Sequence, residues 1–253
     1  MMTDARLAAS LAEEAGRALL RPWTEATDPV DRDSARERGR RGDALANEVL
    51  LRGIAAQRPG DVVLSEESAD DPARLSASRV WIVDPLDGTR EYGLGRRDWS
   101  VHVALWQAGR GLTDAAVAEP AADRVTATDD VAQTWRGIPG KKTRILVSDT
   151  RPPEFAKSVA DSVDAELVPM GSAGAKAMAV VRGEADAYLH AGGQYEWDSA
   201  APVAIARMAG LHASRVDGSE LAYNRPAPYL PDLLLCRADL AGPLLDAVAR
   251  ATS

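Results

Sequence analysis

The sequence predicts a mixed chain, α+β in its front half and α/β behind, on three observations. Helical apolar spacing comes first, with Leu7, Leu11, Ala15 and Ala18 near one face of Asp4 to Leu20. Short strand-like runs then follow one another: DVVLSEE, RVWIVD, SVHVALW and TDAAVAEP. Beyond residue 142 strand and helix patterns alternate, the order expected of an α/β half.

A second helix is expected from Asp43 to Gln57, where Leu45, Val49, Leu50 and Ile54 share a face and RPG ends the run. Between the first two helices lies ATDPVDRDSARERGRRGD, polar, arginine-rich and without a clear period. It reads as a solvated loop or helix edge, and alternatively as a mobile flap over an anionic substrate. GIPGKK (Gly137 to Lys142) interrupts both periodicities and reads as a linker. It divides the chain into an α+β domain, 1–140, and an α/β domain, 141–253. In the latter, TRILVS is a strand, PPEFAKSVADSV a helix with proline near its start, and AELVPM a strand. AGAKAMAVVRG is a helix closed by Gly183, ADAYLH a strand and WDSAAPVAIARMAG a helix. DLLLCR is a last strand before the final helix.

A chain of 253 residues with 45% apolar and 27% charged content can bury a sizeable core. Its net charge of −8 argues against general nucleic-acid binding, which needs a basic face. An anionic small substrate stays open, because bound metal ions reverse local charge. No apolar run is long enough for a bilayer, so no membrane partner is expected. The first twenty residues carry acids inside an amphipathic pattern, unlike a signal peptide. The single cysteine, Cys236, excludes an internal disulfide and fits a reducing cytoplasm; it reads as a packing residue.

The chemistry concentrates in WIVDPLDGTREY, Trp81 to Tyr92. Pro85 biases Asp84 toward an extended conformation at a strand end, and a turn across Leu86 brings Asp87 back to the same side. Two close carboxylates are unfavourable without a shared proton or a cation. Hard oxygens of this kind suit Mg²⁺, with the Leu86 carbonyl as a further ligand. If a helix starts at GTREY, the amides of Gly88 and Thr89 form an anion site. The same residues read equally as an Asx turn with Asp87 capping a helix, and the spacing alone leaves both open. Glu66 and Glu67 end another apolar strand in VVLSEES, and strands of one sheet can end side by side. Asp198 stands at a helix start after Trp197, and Asp43 at the expected N-terminus of the second helix, where each also serves as a cap.

SEES, WIVDPLDGT and WDSAAP, in this order, resemble the three signatures of the inositol monophosphatase superfamily, the lithium-sensitive, Mg²⁺-dependent phosphatases, over nearly the whole chain. DPLDGTREY, GSAGAKAMAV, YLHAGGQYEWDSAAP and RPPEF are most similar to its CysQ-type bisphosphate nucleotidases, in particular the actinobacterial branch. The resemblance implies a layered α-β-α-β-α sandwich, a homodimer, two or three Mg²⁺ per site and inhibition by Li⁺. It also implies hydrolysis of 3′-phosphoadenosine 5′-phosphate to AMP in sulfate assimilation. A broad inositol or fructose-bisphosphate phosphatase, or a catalytically silent metal- or nucleotide-binding regulator, are the alternatives. By the same resemblance Glu66, Asp84, the Leu86 carbonyl, Asp87 and Asp198 are metal ligands, with Glu67 and Asp43 at a further metal. Thr89 and Glu66 orient the attacking water, and the Gly88 and Thr89 amides cradle phosphate. Where the inositol enzymes carry a glutamate, this chain has His190-Ala191-Gly192-Gly193, which weakens the inositol reading. RRGDALANEVL departs from the usual pattern around the aspartate.

Substrate contacts are expected from Gly171, Ser172 and Lys176 in MGSAGAKAM, with a plain strand-to-helix turn as the other account. Arg90 faces a second phosphate or makes an exposed salt bridge. His102 alternates with Val101 and Val103 and is expected on a strand away from the metals.

Overall fold

Successive side chains on a strand point to opposite faces, and Val80, Trp81, Ile82 and Val83 are all fully buried, so that strand must be covered on both sides. In the computed structural model, which describes residues 2–24, 31–131 and 141–252, it is. The chain runs through helices α1 (Asp4–Thr24) and α2 (Arg32–Gln57) into a first sheet. Its strands are β1 (Val62–Ser65), β2 (Arg79–Asp87), β3 (Ser100–Gln107), β4 (Gly111–Glu119) and β5 (Arg124–Ala127), with the short α3 (Thr89–Gly93) following β2. These strands lie side by side in chain order, β1 parallel to β2 and the rest antiparallel.

Next come β6 (Thr143–Ser148), α4 (Ala156–Ser162), β7 (Ala165–Met170), α5 (Ala173–Val181) and β8 (Ala187–Tyr195). α6 (Glu196–Met208), β9 (His212–Ser214), β10 (Tyr229–Cys236) and α7 (Ala241–Thr252) complete the order. The second sheet runs β7-β6-β8-β10-β9, with β6 parallel to both β7 and β8 and β10 antiparallel to its neighbours.

Three cores fill the gaps. Leu11, Leu19 and Leu50 of α1 and α2 pack on Trp81 and Val83. Val80 and Ile82, on the opposite face, meet Met178 of α5 and Val203 and Ile205 of α6, which also cover Leu233 and Leu235 of the second sheet. Leu234 and Cys236 turn outward to Val159 and Leu244 of α4 and α7. The layers are therefore α1/α2, sheet, α5/α6, sheet and α4/α7, the α-β-α-β-α sandwich expected. Cys236 is fully buried among these side chains, and no helix of the described residues is long and apolar enough to cross a membrane.

One expectation lies partly outside the described residues, and another changes. Residues 137–140 of the expected linker lie outside the described residues. The second helix starts at Arg32, well before Asp43, because Asp31 caps it by accepting from the amides of Asp33 and Ser34 at 2.9 and 2.8 Å. Its buried stripe there is Ala35, Gly39, Gly42 and Ala46, small residues that carry no hydropathy signal. The arginines lie on the remaining faces, with Glu37 paired to Arg40 and Arg41.

The small stripe lets α2 lie on the turn after β2. A Cβ added at Gly39 would come within 2.6 Å of Thr89 Cγ2 and 3.0 Å of the Thr89 carbonyl. Helix propensity alone favours replacing this glycine by about 1 kcal/mol, so the contact decides the sign for a larger residue. Gly39→Val is expected to destabilise the fold by about 1–3 kcal/mol, as overpacking does. Urea unfolding measures this, and an unchanged midpoint would show that α2 does not rest on that turn.

Candidate active site

β1 and β2 are parallel, with Ser65 opposite Val83, so both strands end at one edge and Glu66 and Glu67 emerge beside Asp84. A bulge interrupts β2 between Asp84, opposite His102, and Asp87, opposite Ser100. Within it Asp84 Oδ1 accepts from the Leu86 amide at 3.0 Å. Gly88 turns the chain in the left-handed region at φ 88°, and the Thr89 hydroxyl donates to the Leu86 carbonyl at 3.0 Å. From the middle layer, the first turn of α6 brings in Asp198, whose Oδ2 accepts from the Tyr195 amide at 2.6 Å. Asp84, Asp87 and Asp198 then offer carboxylate oxygens that all lie within 4.8 Å of one another. Asp43 joins from the middle of α2, not from a helix N-terminus: it is an interior residue buried against the same cluster.

Such crowding shifts protonation. Burial first, then the charges of Glu66 and Asp87, hold Asp84 well above the usual carboxylate range. Burial, Glu66 and Glu67 push Asp43 up to about 8. Glu66 is exposed, yet surrounding protein, Asp198 and Glu67 raise it to about 7. Asp198 is raised to about 6 by burial and by Asp87. Asp87 is the exception. Burial would raise it, but His102, the Ser172 hydroxyl and the Lys176 charge outweigh that and hold it below the usual range.

Asp87 also sits at a helix end. Asp87 Oδ1 accepts from the Ala173 amide at 3.0 Å, and Oδ2 from the Gly174 amide at 2.7 Å, so the carboxylate sits on the N-terminus of α5. The Ser100 hydroxyl (2.9 Å) and the Ser172 hydroxyl also donate to Oδ2. Asp87 is thus a cap, though of a helix far along the chain and not of α3, whose N-cap Gly88 has no side-chain bond.

This assigns MGSAGAKAM a supporting place. Ser172 is turned onto Asp87, and the Gly171 amide donates to Asp98 at 2.9 Å. Lys176 directs its ammonium at the carbonyls of Met170, Gly171 and Ser172 (3.3, 3.1 and 2.5 Å), so its donors hold this turn while the side chain lines the cavity over Glu66, Asp87 and Asp198. Arg90 makes the salt bridge, with Glu91 at 2.7 Å, and lines a separate groove beside Arg32, Arg36 and Arg40. His102 is on its strand but beside the clustered carboxylates and not away from them: Nε2 is 3.4 Å from Asp87 Oδ2.

A cavity of about 420 Å³ opens over Glu66, Asp87 and Asp198. Its walls include Arg151, whose charge is felt by Asp198, and Tyr195, Trp197 and Tyr229. The Tyr195 and Trp197 rings stack at 4.8 Å and 8°, with Tyr229 edge-on to Tyr195 at 6.0 Å. Sequence reasoning missed all four residues except as neighbours of Asp198. The run YEW next to the motif was the available signal, whereas Arg151 is brought in by the fold.

The acidic set fits a hard divalent cation. Asp84 Oδ2 and Asp43 Oδ1 are buried without a hydrogen-bond partner among the described residues, an unfavourable state that a metal–oxygen bond relieves. Comparison with known proteins agrees in kind. Residues 3–239 match the inositol monophosphatase family model. The chain belongs to that family. A relative from Mycobacterium leprae, named 3′-phosphoadenosine 5′-phosphate phosphatase, is 52% identical, covering 98% of this chain and 94% of that one. The Escherichia coli K12 relative named 3′(2′),5′-bisphosphate nucleotidase CysQ is 31% identical over 87% of this chain and 94% of its own. Among solved members of the family, CysQ from Bacteroides thetaiotaomicron superposes with a TM-score of 0.75 at 23% identity, covering 92% of this chain and 97% of that one. A staphylococcal IMPase-II does so with 0.77 at 20%, over 98% and 97%. These two share the fold.

The raised carboxylates fix a pH dependence. A group whose folded pKa exceeds its unfolded value stabilises fully below the unfolded value, and that stability is lost as pH rises through the folded one. Asp43, Glu66 and Asp198 start near 3.8, 4.5 and 3.8 and end near 8, 7 and 6. In a chelator the melting temperature is therefore expected to fall between about pH 4 and pH 8. Mg²⁺ is expected to flatten the alkaline part of this curve. Thermal unfolding with chelator and with Mg²⁺ checks both, and parallel curves would contradict the cation reading.

Proposed function

We propose that the chain is a Mg²⁺-dependent phosphomonoesterase that removes the 3′-phosphate of 3′-phosphoadenosine 5′-phosphate, giving AMP and phosphate in sulfur metabolism. The observation that carries this is the cavity itself. It joins a cluster of carboxylates suited to metal and phosphate to the Arg151 guanidinium and stacked aromatic rings, features a nucleoside carrying a second phosphate can use. The 52% identical relative's name supports the same substrate.

Glu66, Asp84, the Leu86 carbonyl, Asp87 and Asp198 would hold the ions, with Glu67 and Asp43 available to a further one, two or three in all. Bound Mg²⁺ supplies an acidified water and positive charge for the phosphoryl group. The Thr89 hydroxyl donates to Leu86 and keeps its lone pairs for a water proton. Glu66, raised in the metal-free site by burial and by Asp198 and Glu67, would be held ionised by a bound cation and so be able to accept a water proton. The Gly88 and Thr89 amides would cradle the phosphoryl oxygens, and Asp198 would serve both as a metal ligand and as a substrate contact. Ser172, Gly171 and Lys176 act through Asp87 and the turn that caps it. In this reading the enzyme works in the cytoplasm as a homodimer and is inhibited by Li⁺.

Phosphate release with Mg²⁺ from 3′-phosphoadenosine 5′-phosphate, inositol 1-phosphate and fructose 1,6-bisphosphate, with and without Li⁺, tests the assignment. The nucleotide is expected to give the highest kcat/KM. A preference for inositol 1-phosphate would overturn the substrate, and no turnover of any would favour a silent regulator. Arg151→Ala is expected to raise KM for the bisphosphate about tenfold, the loss of one charged hydrogen bond, and to leave inositol 1-phosphate unchanged.

A further inference from the structure

The carboxylates that would hold Mg²⁺ come from different layers: Asp84 and Asp87 from the end of β2, Asp198 from the start of α6. Something must hold these two pieces of backbone at a fixed spacing, and one buried ring spans the gap. His102 on β3 is fully buried, opposite Asp84 across the strand pair. Its Nε2 lies 3.0 Å from Ser100 Oγ and 3.4 Å from Asp87 Oδ2. Its Nδ1 lies 3.1 Å from the carbonyl of Trp197, the residue before Asp198. A carbonyl only accepts, so Nδ1 carries a hydrogen and donates to it; the Asp87 carboxylate also only accepts, so the ring spans the two as the imidazolium, with a hydrogen on Nε2 as well.

The ring has no room to swing. A Cβ added at Gly174, the second residue of α5, would come within 2.1 Å of His102 Nε2 and 2.3 Å of Ser100 Oγ. Ser100 Oγ in turn lies 2.9 Å from Asp87 Oδ2 and 3.0 Å from Ser172 Oγ. β3, the cap of α5 and the start of α6 therefore converge on one imidazole.

We propose that His102 is a positioning residue, bridging Asp87 to the backbone that carries Asp198 and so setting the spacing of the cation-binding carboxylates. It touches no substrate, and its action is on how well the site is formed before a cation arrives. The inference rests on the metal site and not on the identity of the substrate. Removing partners that orient ligands typically weakens metal binding about 10–100-fold.

Two substitutions split the bridge. His102→Asn places an amide where Nδ1 was, keeping the donor to Trp197 and losing the Asp87 side. His102→Gln reaches the Nε2 position and loses the Trp197 bond. Mg²⁺ alone, titrated calorimetrically into the substrate-free full chain, is the probe, with circular dichroism confirming that each variant is folded. Both variants are expected to raise the Mg²⁺ Kd at least tenfold, with kcat at saturating Mg²⁺ reduced less than Mg²⁺ affinity. A folded variant of either kind that binds Mg²⁺ like the parent overturns the bridge, and if one variant does not fold the other decides. Absence of Mg²⁺ binding by the parent chain would instead sink the metal site itself.

Discussion

The structure depends on negative charge being gathered where three layers meet. β2 ends in a bulge that turns Asp84 and Asp87 to one side, β1 ends beside it with Glu66, and α6 begins opposite with Asp198. Left alone, these groups repel, and burial makes each costlier to ionise. The protein handles the problem unequally. Asp87 receives two helix amides and two hydroxyls and stays ionised, whereas Asp84 has one oxygen satisfied by Leu86 and the other without a hydrogen-bond partner among the described residues. A strongly held carboxylate next to an unsatisfied one is an arrangement that a bound cation would stabilise.

That arrangement explains why the surrounding packing is tight. α2 approaches the turn through Gly39, and α5 approaches Asp87 through Gly174, each at distances that leave no space for a side chain. Lys176 clamps the carbonyls preceding α5 and also lies 5.0 Å over the Tyr188 ring. Its pKa is lowered, burial outweighing the nearby carboxylates, as expected of an ammonium used internally. The residues that look polar and available in the sequence are in large part internal supports for Asp87.

The legible part of the site was local. Asp84, Leu86, Asp87, Gly88 and Thr89 lie in one hexapeptide, and Glu66 and Asp198 each adjoin an apolar strand or helix whose period shows its end. The rest depended on distance along the chain. Ser172 meets Asp87 and His102 meets Trp197 only after the sheets and helices pack, and nothing in VHV or MGSAG announces either contact. The layers were legible because apolar runs mark the strands. The start of α2 was not, because its buried stripe is alanine and glycine and its other faces are arginine and glutamate. Arg90 and Arg151 make the same point: adjacency to the motif suggested the first, while the cavity wall holds the second.

The central claim is that the buried carboxylates are kept at a cost to stability so that a cation can bind. Asp84→Asn tests it more cleanly than a change at Asp87, which would also remove a helix cap. Melting temperatures of the parent and this variant should be compared at pH 8, in chelator and in Mg²⁺. The variant is expected to melt higher than the parent in chelator and to gain little from Mg²⁺, with turnover lost. A parent chain more stable than Asp84→Asn without metal would contradict the account.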